Sequence, residues 1–239
     1  MDCWICGDDA TTGEHGVKRS DLVSMFGKGK LFLSNGSARN RSVQGPGSAA
    51  LHFARARLCP DCNNRRTQPY DLAWAKLSEF LRIRTPPVSE GDIVNFSTVF
   101  PGRARTSMRD VHLYFVKHFG CMLIEHDIPV DLGEFSRALL ENRPHPDVHL
   151  DIWAVPEKAL HRVAGLSEVQ GLQADNGRPT IVSYFYEAGP IHVRVMWARP
   201  SLRHGALMGS WHPSRLTRLV RISGMGVQAE DAQPIGASV

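Results

Sequence analysis

Two Cys-x-x-Cys pairs, Cys3-Trp4-Ile5-Cys6 and Cys59-Pro60-Asp61-Cys62, constrain this chain more than any other feature. Each pair sets two thiolates on one tight knuckle. Two such knuckles close a tetrahedral Cys₄ site of the kind that suits zinc. Gly7, directly after the first pair, supplies the permissive backbone that such a turn needs. Four protein ligands leave no open coordination position, so the expected metal, one zinc per chain, is structural. Residues 7 to 58, 52 in all, separate Cys6 from Cys59. That is too long for a minimal zinc ribbon, so further structure is expected between the knuckles. The fifth cysteine, Cys121, is left over. An odd cysteine count behind an opening Met1-Asp2-Cys3-Trp4 that resembles no secretory leader argues against a disulfide framework. The expected compartment is therefore the cytoplasm, and Cys121 is expected to pack as a small hydrophobe. No apolar run approaches the roughly 20 residues that span a bilayer.

Charge is distributed unevenly. The net charge is only +4, yet residues 16 to 66 hold Lys18, Arg19, Lys28, Lys30, Arg39, Arg41, Arg55, Arg57, Arg65 and Arg66, opposed by Asp21 and Asp61 alone. A basic patch confined to one segment is the electrostatic footprint of a polyanion partner, although a solvated basic face would read the same way.

The texture of the chain changes at Thr85-Pro86-Pro87. Before it, residues 1 to 15 suit a knuckle leading into a β-hairpin. Residues 27 to 50, rich in Gly, Ser, Asn and Arg, read as a long basic loop. Residues 51 to 58 read as a strand delivering Cys59. A helix follows Cys62, interrupted near Pro69 and continuing over 71–83 with Ala73, Leu77, Phe80 and Leu81 on one face and Trp74 beside them. After the break, Ser107-x-x-Asp110 reads as a capping box opening a helix with Met108, Val111, Phe115 and Phe119 at helical spacing, and Gly120 stands where a C-terminal cap belongs. A short helix is expected over about 131–141, then strands over 149–155, 181–186, 191–197 and 216–222, with turns at Asn176-Gly177 and Ala188-Gly189-Pro190. The expected fold is α+β. It comprises an N-terminal zinc-stabilised module (1–85), a C-terminal α+β domain with an antiparallel sheet (86–228) and a flexible tail (229–239).

Between and after the knuckles stand Glu14-His15 and Asn63-Asn64-Arg65-Arg66. The order Cys3-x-x-Cys6, Glu14-His15, Cys59-x-x-Cys62-Asn63-x-x-Arg66 resembles the HNH endonuclease family, and Glu14-His15-Gly16-Val17-Lys18-Arg19-Ser20 is similar to the continuation of that family's first motif. The resemblance covers about residues 1 to 85. It implies a ββα-metal, treble-clef-like module that cleaves DNA phosphodiester bonds. It further implies His15 as general base, and Glu14 and Asn63 as ligands of a catalytic Mg²⁺ or Mn²⁺. Phosphate contacts are expected from Arg65 and Arg66, and from Lys18, Arg19, Lys28, Lys30, Arg39 and Arg41. Carboxylate and amide oxygens suit such hard cations, and a neutral His beside one can activate water. The loop Asn usual in the family has no counterpart in Ser48-Ala49-Ala50-Leu51-His52; Asn35 and Asn40 are the nearest upstream. Asp71 is a further candidate ligand.

Each of these residues also has a plain reading. Asn63 would cap the following helix, Arg65 and Arg66 would form a solvated helix face, and His112 would be structural. A non-catalytic zinc module that grips nucleic acid, or an adaptor scaffolded by the knuckles, therefore stays open beside the nuclease. The carboxylate is what favours a nuclease. In a basic module it repels phosphate unless a cation stands between them. Two strands to cut with one site per chain would favour a homodimer.

Overall fold

A computed structural model describes residues 1–34, 41–155, 163–174, 176–200, 207, 209–215 and 217–224. The expected tail and Arg39, Asn35 and Asn40 fall outside the described residues. The N-terminal knuckle runs into β1 (Thr12–His15), which pairs antiparallel with β4 (His52–Leu58) in the register Thr12↔Leu58, Gly13↔Arg57, His15↔His52, with an irregularity at Glu14. Among the described residues, the span between these strands holds α1 (Arg19–Phe26), which no signal in the sequence marked, the short antiparallel pair β2 (Leu31–Leu33) and β3 (Arg41–Val43), and a single 3₁₀ turn over Ala49–Leu51. The expected basic loop is thus partly an arm of two strands, because Leu31-Phe32-Leu33 can pair against Arg41-Ser42-Val43 and bury Val43.

After Cys62 the chain makes a wide π-type turn over Asp61–Arg66 and enters α2 (Gln68–Ile83). Pro69 does not interrupt this helix. It sits in the first turn, where its missing N–H has no intrahelical acceptor to lose. Tyr70, Ala73, Trp74, Leu77, Ser78 and Leu81 form the buried face, and Phe80 is half-buried at its edge.

Beyond Thr85-Pro86-Pro87 come β5 (Ile93–Asn95), the short α3 (Phe96–Val99), α4 (Ala104–Glu125) and α5 (Gly133–Leu140). Two local expectations are corrected here. Ser107 does not open α4; the helix already starts at Ala104, and Ser107 is buried within its first turn. Gly120 does not close α4 either. The helix runs through it to Glu125, because Gly120 is the seat of Trp4. A Cβ built there would lie 2.4 Å from Trp4 Cη2.

The remainder is β6 (Val148–Ala154), β7 (Ala164–Leu166), β8 (Gln170–Gln173), β9 (Pro179–Ala188), β10 (Ile191–Ala198), β11 (Leu219–Arg221) and β12 (Ser223–Gly224). β12, β6, β10, β9 and β7 line up in that order in one six-stranded sheet, with β8 also on β9. All neighbours are antiparallel except β12 on β6. The β9–β10 hairpin turns at Gly189-Pro190, with Gly189 at φ 65°. β11 returns to pair with β5. The fold is therefore mixed α+β with antiparallel sheets and a cysteine cluster near the N-terminus. One hydrophobic core runs from Cys3 to Ile222, so the Pro86-Pro87 break ends a helix without separating two cores.

Two buried polar contacts fasten α1 and β1 to the rest. The Asp21 carboxylate, fully buried, accepts from Trp74 Nε1 (3.0 Å), Ser78 Oγ (2.8 Å), Arg82 Nη1 (2.8 Å) and Tyr186 Oη (2.7 Å). A buried carboxylate survives only when paired and hydrogen-bonded in this way. His118, on α4, bridges Tyr184 Oη (2.6 Å) through Nδ1 and the Gly16 carbonyl (2.5 Å) through Nε2. Burial pushes its pKa down to about 4.

Gly120→Ala should destabilise the protein by ~1–3 kcal/mol in denaturant titrations, although alanine is the better helix former by ~1 kcal/mol. Adding Trp4→Ala to it should recover part of that loss, and strict additivity of the two changes would contradict the Trp4 seat. A second expectation concerns pH. The folded state keeps His118 neutral down to about 4 while the unfolded chain protonates it near 6.5. Below pH 6.5 the unfolded state therefore binds the proton first, and stability should fall by ~1.4 kcal/mol per pH unit until the folded pKa is reached. His118→Gln, which cannot titrate, should show a flatter profile over this window in equilibrium unfolding.

Candidate metal centre and histidine site

The Sγ atoms of Cys3, Cys6, Cys59 and Cys62 all lie within 4.8 Å of one another. Three of these residues are buried and Cys6 is half-buried. Cys6 Sγ and Cys59 Sγ stand 3.6 Å apart, close to the ~3.8 Å edge of a tetrahedron with Zn–S bonds near 2.3 Å. The Cys62 backbone N–H points at Cys59 Sγ (3.3 Å), as expected of a knuckle that stabilises a thiolate. The donor set fits zinc, and among the described residues it is the one group of three or more His, Cys, Asp and Glu ligands gathered this closely. Cys121 takes no part. It lies on α4, fully buried, and burial pushes its thiol well up.

The shared cluster holds Glu14-His15 beside Asn63. Asn63 follows Cys62 in the π-type turn, and its side-chain amide donates to Thr12 Oγ1 (3.1 Å) and to the Gly13 carbonyl (3.2 Å). It therefore braces the second knuckle against β1 rather than capping α2, whose N-cap residue is Thr67. Asn64 donates to the Pro60 carbonyl (3.1 Å).

Glu14 and His15 have different surroundings. Glu14 is buried, and its Oε1 lies 2.9 Å from Lys117 Nζ on α4. The same ammonium, itself fully buried, lies 3.3 Å from both Asp71 Oδ1 and Thr67 Oγ1, and Lys18 Nζ meets the same Asp71 Oδ1 at 3.3 Å. Burial disfavours the charged lysine, but Glu14 and Asp71 outweigh it and hold Lys117 above the ordinary lysine range. Two carboxylates are thus balanced by two ammonium groups. The catalytic Mg²⁺ or Mn²⁺ expected at Glu14 and Asn63 does not fit this arrangement. It would sit against two ammonium groups, and Asn63 presents its N–H groups, not a shared oxygen, to the strand that carries Glu14.

His15 is half-buried. Its Nε2 lies 3.1 Å from the Pro46 carbonyl, in the loop between the strands. With that nitrogen donating, Nδ1 carries the lone pair. The oxygen that fixes the ring is thus a backbone carbonyl. Opposite His15 in register stands His52, its ring centroid 4.1 Å away. His52 Nε2 has no hydrogen-bond partner among the described residues. Gly13 gives the His52 ring its room, since a Cβ there would lie 2.7 Å from Nδ1. Burial first, then His52, Arg19 and Lys18, push the His15 pKa down to about 4 against the pull of Pro46. Sequence reasoning passed over His52. Its signal was its position at the start of the second strand, seven residues before Cys59.

The expected phosphate contacts divide into two groups. Lys18 pairs with Asp71, and Arg65 and Arg66 both pair with Asp61, although Arg65 stays exposed; Arg66 Nη2 lies 3.7 Å from Asp61 Oδ2. Arg19, Lys28, Lys30 and Arg41 are exposed, and the Arg19 guanidinium lies over Gly47, beside the Pro46 that orients His15. No helix among the described residues is long and apolar enough to cross a membrane. Comparisons with family models, curated proteins and solved structures found no match to this chain.

Elemental analysis of the purified protein should find about one zinc per chain. Replacing Cys59 or Cys62 by Ser should lose it, and Cys121→Ser should retain it. A folded, unchelated protein with no zinc would contradict the assignment.

Proposed function

We propose that this chain is an endonuclease that hydrolyses DNA phosphodiester bonds with His15 as general base. The observation that carries the reading is the fixing of His15. One ring nitrogen is committed to the Pro46 carbonyl and the other is left to accept a proton, on a strand pinned beside a metal-ready cysteine cluster. A water held against Nδ1 would give up its proton to the neutral imidazole and attack phosphorus. The P–O bond opposite would break, and the departing oxygen would leave as an alcohol after protonation by solvent. Arg19, exposed next to Pro46, is placed to neutralise a phosphate oxygen. An anion there would also offset the push of Arg19 and Lys18 on His15 and raise its pKa towards the operating range that a general base needs. Lys117 holds Glu14 in place as a positioning residue behind β1. DNA as the polymer comes from the HNH resemblance of residues 1–85.

A second reading is favoured by one observation. The Glu14 carboxylate, which would have distinguished a metal nuclease from a binding module, is already neutralised by Lys117. A zinc-stabilised module that grips nucleic acid without cutting it has the same basic surface and needs no free carboxylate.

Plasmid nicking separates the two. The wild-type protein should convert supercoiled to nicked DNA, and His15→Ala should slow this by roughly 10²–10⁴-fold while zinc content and DNA affinity stay unchanged. Running the assay with and without added Mg²⁺ or Mn²⁺ reads out the role of a divalent ion directly. Equal cleavage by His15→Ala would refute the mechanism. No cleavage of DNA or RNA under any of these conditions, with affinity intact, would leave the binding module as the function.

A further inference from the structure

A cleft of about 930 Å³ opens beside the His15–His52 pair, with Gly16 and His52 on its near edge. Its walls are mainly apolar, with His52 and His126 among them. α1 contributes Leu22, Met25 and Phe26, β2 contributes Leu31 and Leu33, and β4 contributes Phe53. Lys30, exposed, belongs to its lining, and Lys28, just before β2, and Arg41, at the start of β3, are exposed too. Phe32 also belongs to the lining and is 74% exposed, a large aromatic ring open to solvent at the cleft.

Together these features select an occupant. The volume falls in the range of roughly 300–1,000 Å³ typical of pockets that enclose organic ligands. The apolar walls are wrong for a phosphate, which would lose its hydration without gaining a partner. The cations at the rim are wrong for a purely apolar ligand. A flat, weakly polar ring attached to a phosphate satisfies both halves, and a nucleotide within a strand is such an object. A base paired in a duplex is buried in its stack and cannot reach such a cleft unless it is unpaired or flipped out. Of the two acidic residues in the lining, Glu125 is spent on the backbone N–H groups of Ala54 and Arg55, and Glu168 remains at the rim.

We propose that this cleft takes up an unpaired base of a single-stranded polynucleotide, with Phe32 as an exposed stacking platform and Lys28, Lys30 and Arg41 on the neighbouring backbone phosphates. The choice of a polynucleotide rests on the nuclease reading. The restriction to unpaired bases comes from the shape and chemistry of the cleft. A strand threaded past Lys30 into the cleft would carry its phosphate along the edge where Gly16 and His52 stand.

Binding tests this without any cleavage. The full-length, zinc-loaded protein would be titrated into a fluorescein-labelled single-stranded DNA oligonucleotide and into the duplex of the same sequence, at one salt concentration. A second single strand would carry 2-aminopurine. The single strand should bind at least tenfold more tightly, with a change in 2-aminopurine fluorescence. Phe32→Ala should weaken single-strand binding by roughly 5- to 150-fold, the range of one aromatic–base stack, and leave duplex affinity unchanged. Leu166→Trp, which fills the cleft from β7, should abolish the 2-aminopurine response while circular dichroism shows the fold intact. Equal affinity for both forms, or an equal loss on both with Phe32→Ala, would overturn the proposal. Anilinonaphthalene sulfonate that fills the cleft and is not displaced by the single strand would also overturn it, assigning the cleft to an apolar ligand. Tight single-strand binding without cleavage by any preparation would sink the nuclease reading and leave the cleft standing. Cleavage with equal affinities would do the reverse.

Discussion

The rest of the molecule depends on the closure of Cys3 and Cys6 onto Cys59 and Cys62. Without that closure, β1 and β4 are two short strands of four and seven residues, at the ends of a long excursion whose loop entropy opposes their meeting. With it, their register is fixed from one end, and His15 arrives opposite His52. Asn63 shows the connection most directly. It belongs to the second knuckle, yet its amide holds the strand that follows the first. A bound zinc would supply a free-energy term on the order of 10 kcal/mol to this closure, more than the strand pair could supply itself.

α4 is the second organising element. Four successive functions lie along one stretch of it. Lys117 faces Glu14 and Asp71, His118 faces Gly16 and Tyr184, Gly120 receives Trp4, and Cys121 packs in the core. The helix is almost wholly buried, so each of its polar groups needs a defined partner, and those partners come from the cysteine-linked segment and from the sheet together. Breaking one partner of such a buried pair leaves an uncompensated charge, which is why these contacts fix geometry more than they add stability.

Local signals in the sequence were readable where local physics decides the structure. The knuckles follow from thiolate chemistry, β4, β6, β9 and β10 from strand-like composition and the β9–β10 turn from Gly189-Pro190, and α5 falls within the helix expected over about 131–141. Long-range pairing overrode local signals elsewhere. Gly120 carries the mark of a helix cap, but its small size serves Trp4, 116 positions earlier in the chain (120 − 4). Glu14 reads as a metal ligand because nothing in its neighbourhood reveals a lysine on a distant helix. Pro86-Pro87 reads as a domain boundary because the core that spans it is assembled from residues far apart. In the site, the four cysteines were legible by spacing, whereas Glu14, His15 and Asn63 were singled out by the HNH resemblance. His52 and Lys117 were not, because only the register of two strands and the burial of α4 bring them in.

The seating of Trp4 on Gly120 also sets an order of events during synthesis. The second cysteine pair follows the first by 56 positions (59 − 3), so the four thiols can meet before α4 is made. At that point Trp4 has no seat and Asp21 has only part of its shell. Gly120 must follow before the first knuckle can pack, and Tyr186 before Asp21 is fully bonded. Trp4 and Asp21 are therefore satisfied only by residues made well after them. A nascent chain halted near the Pro86-Pro87 break would present a closed cysteine cluster with an exposed tryptophan and an underbonded acid. Completion of the N-terminal segment is thus tied to the arrival of α4 and the sheet.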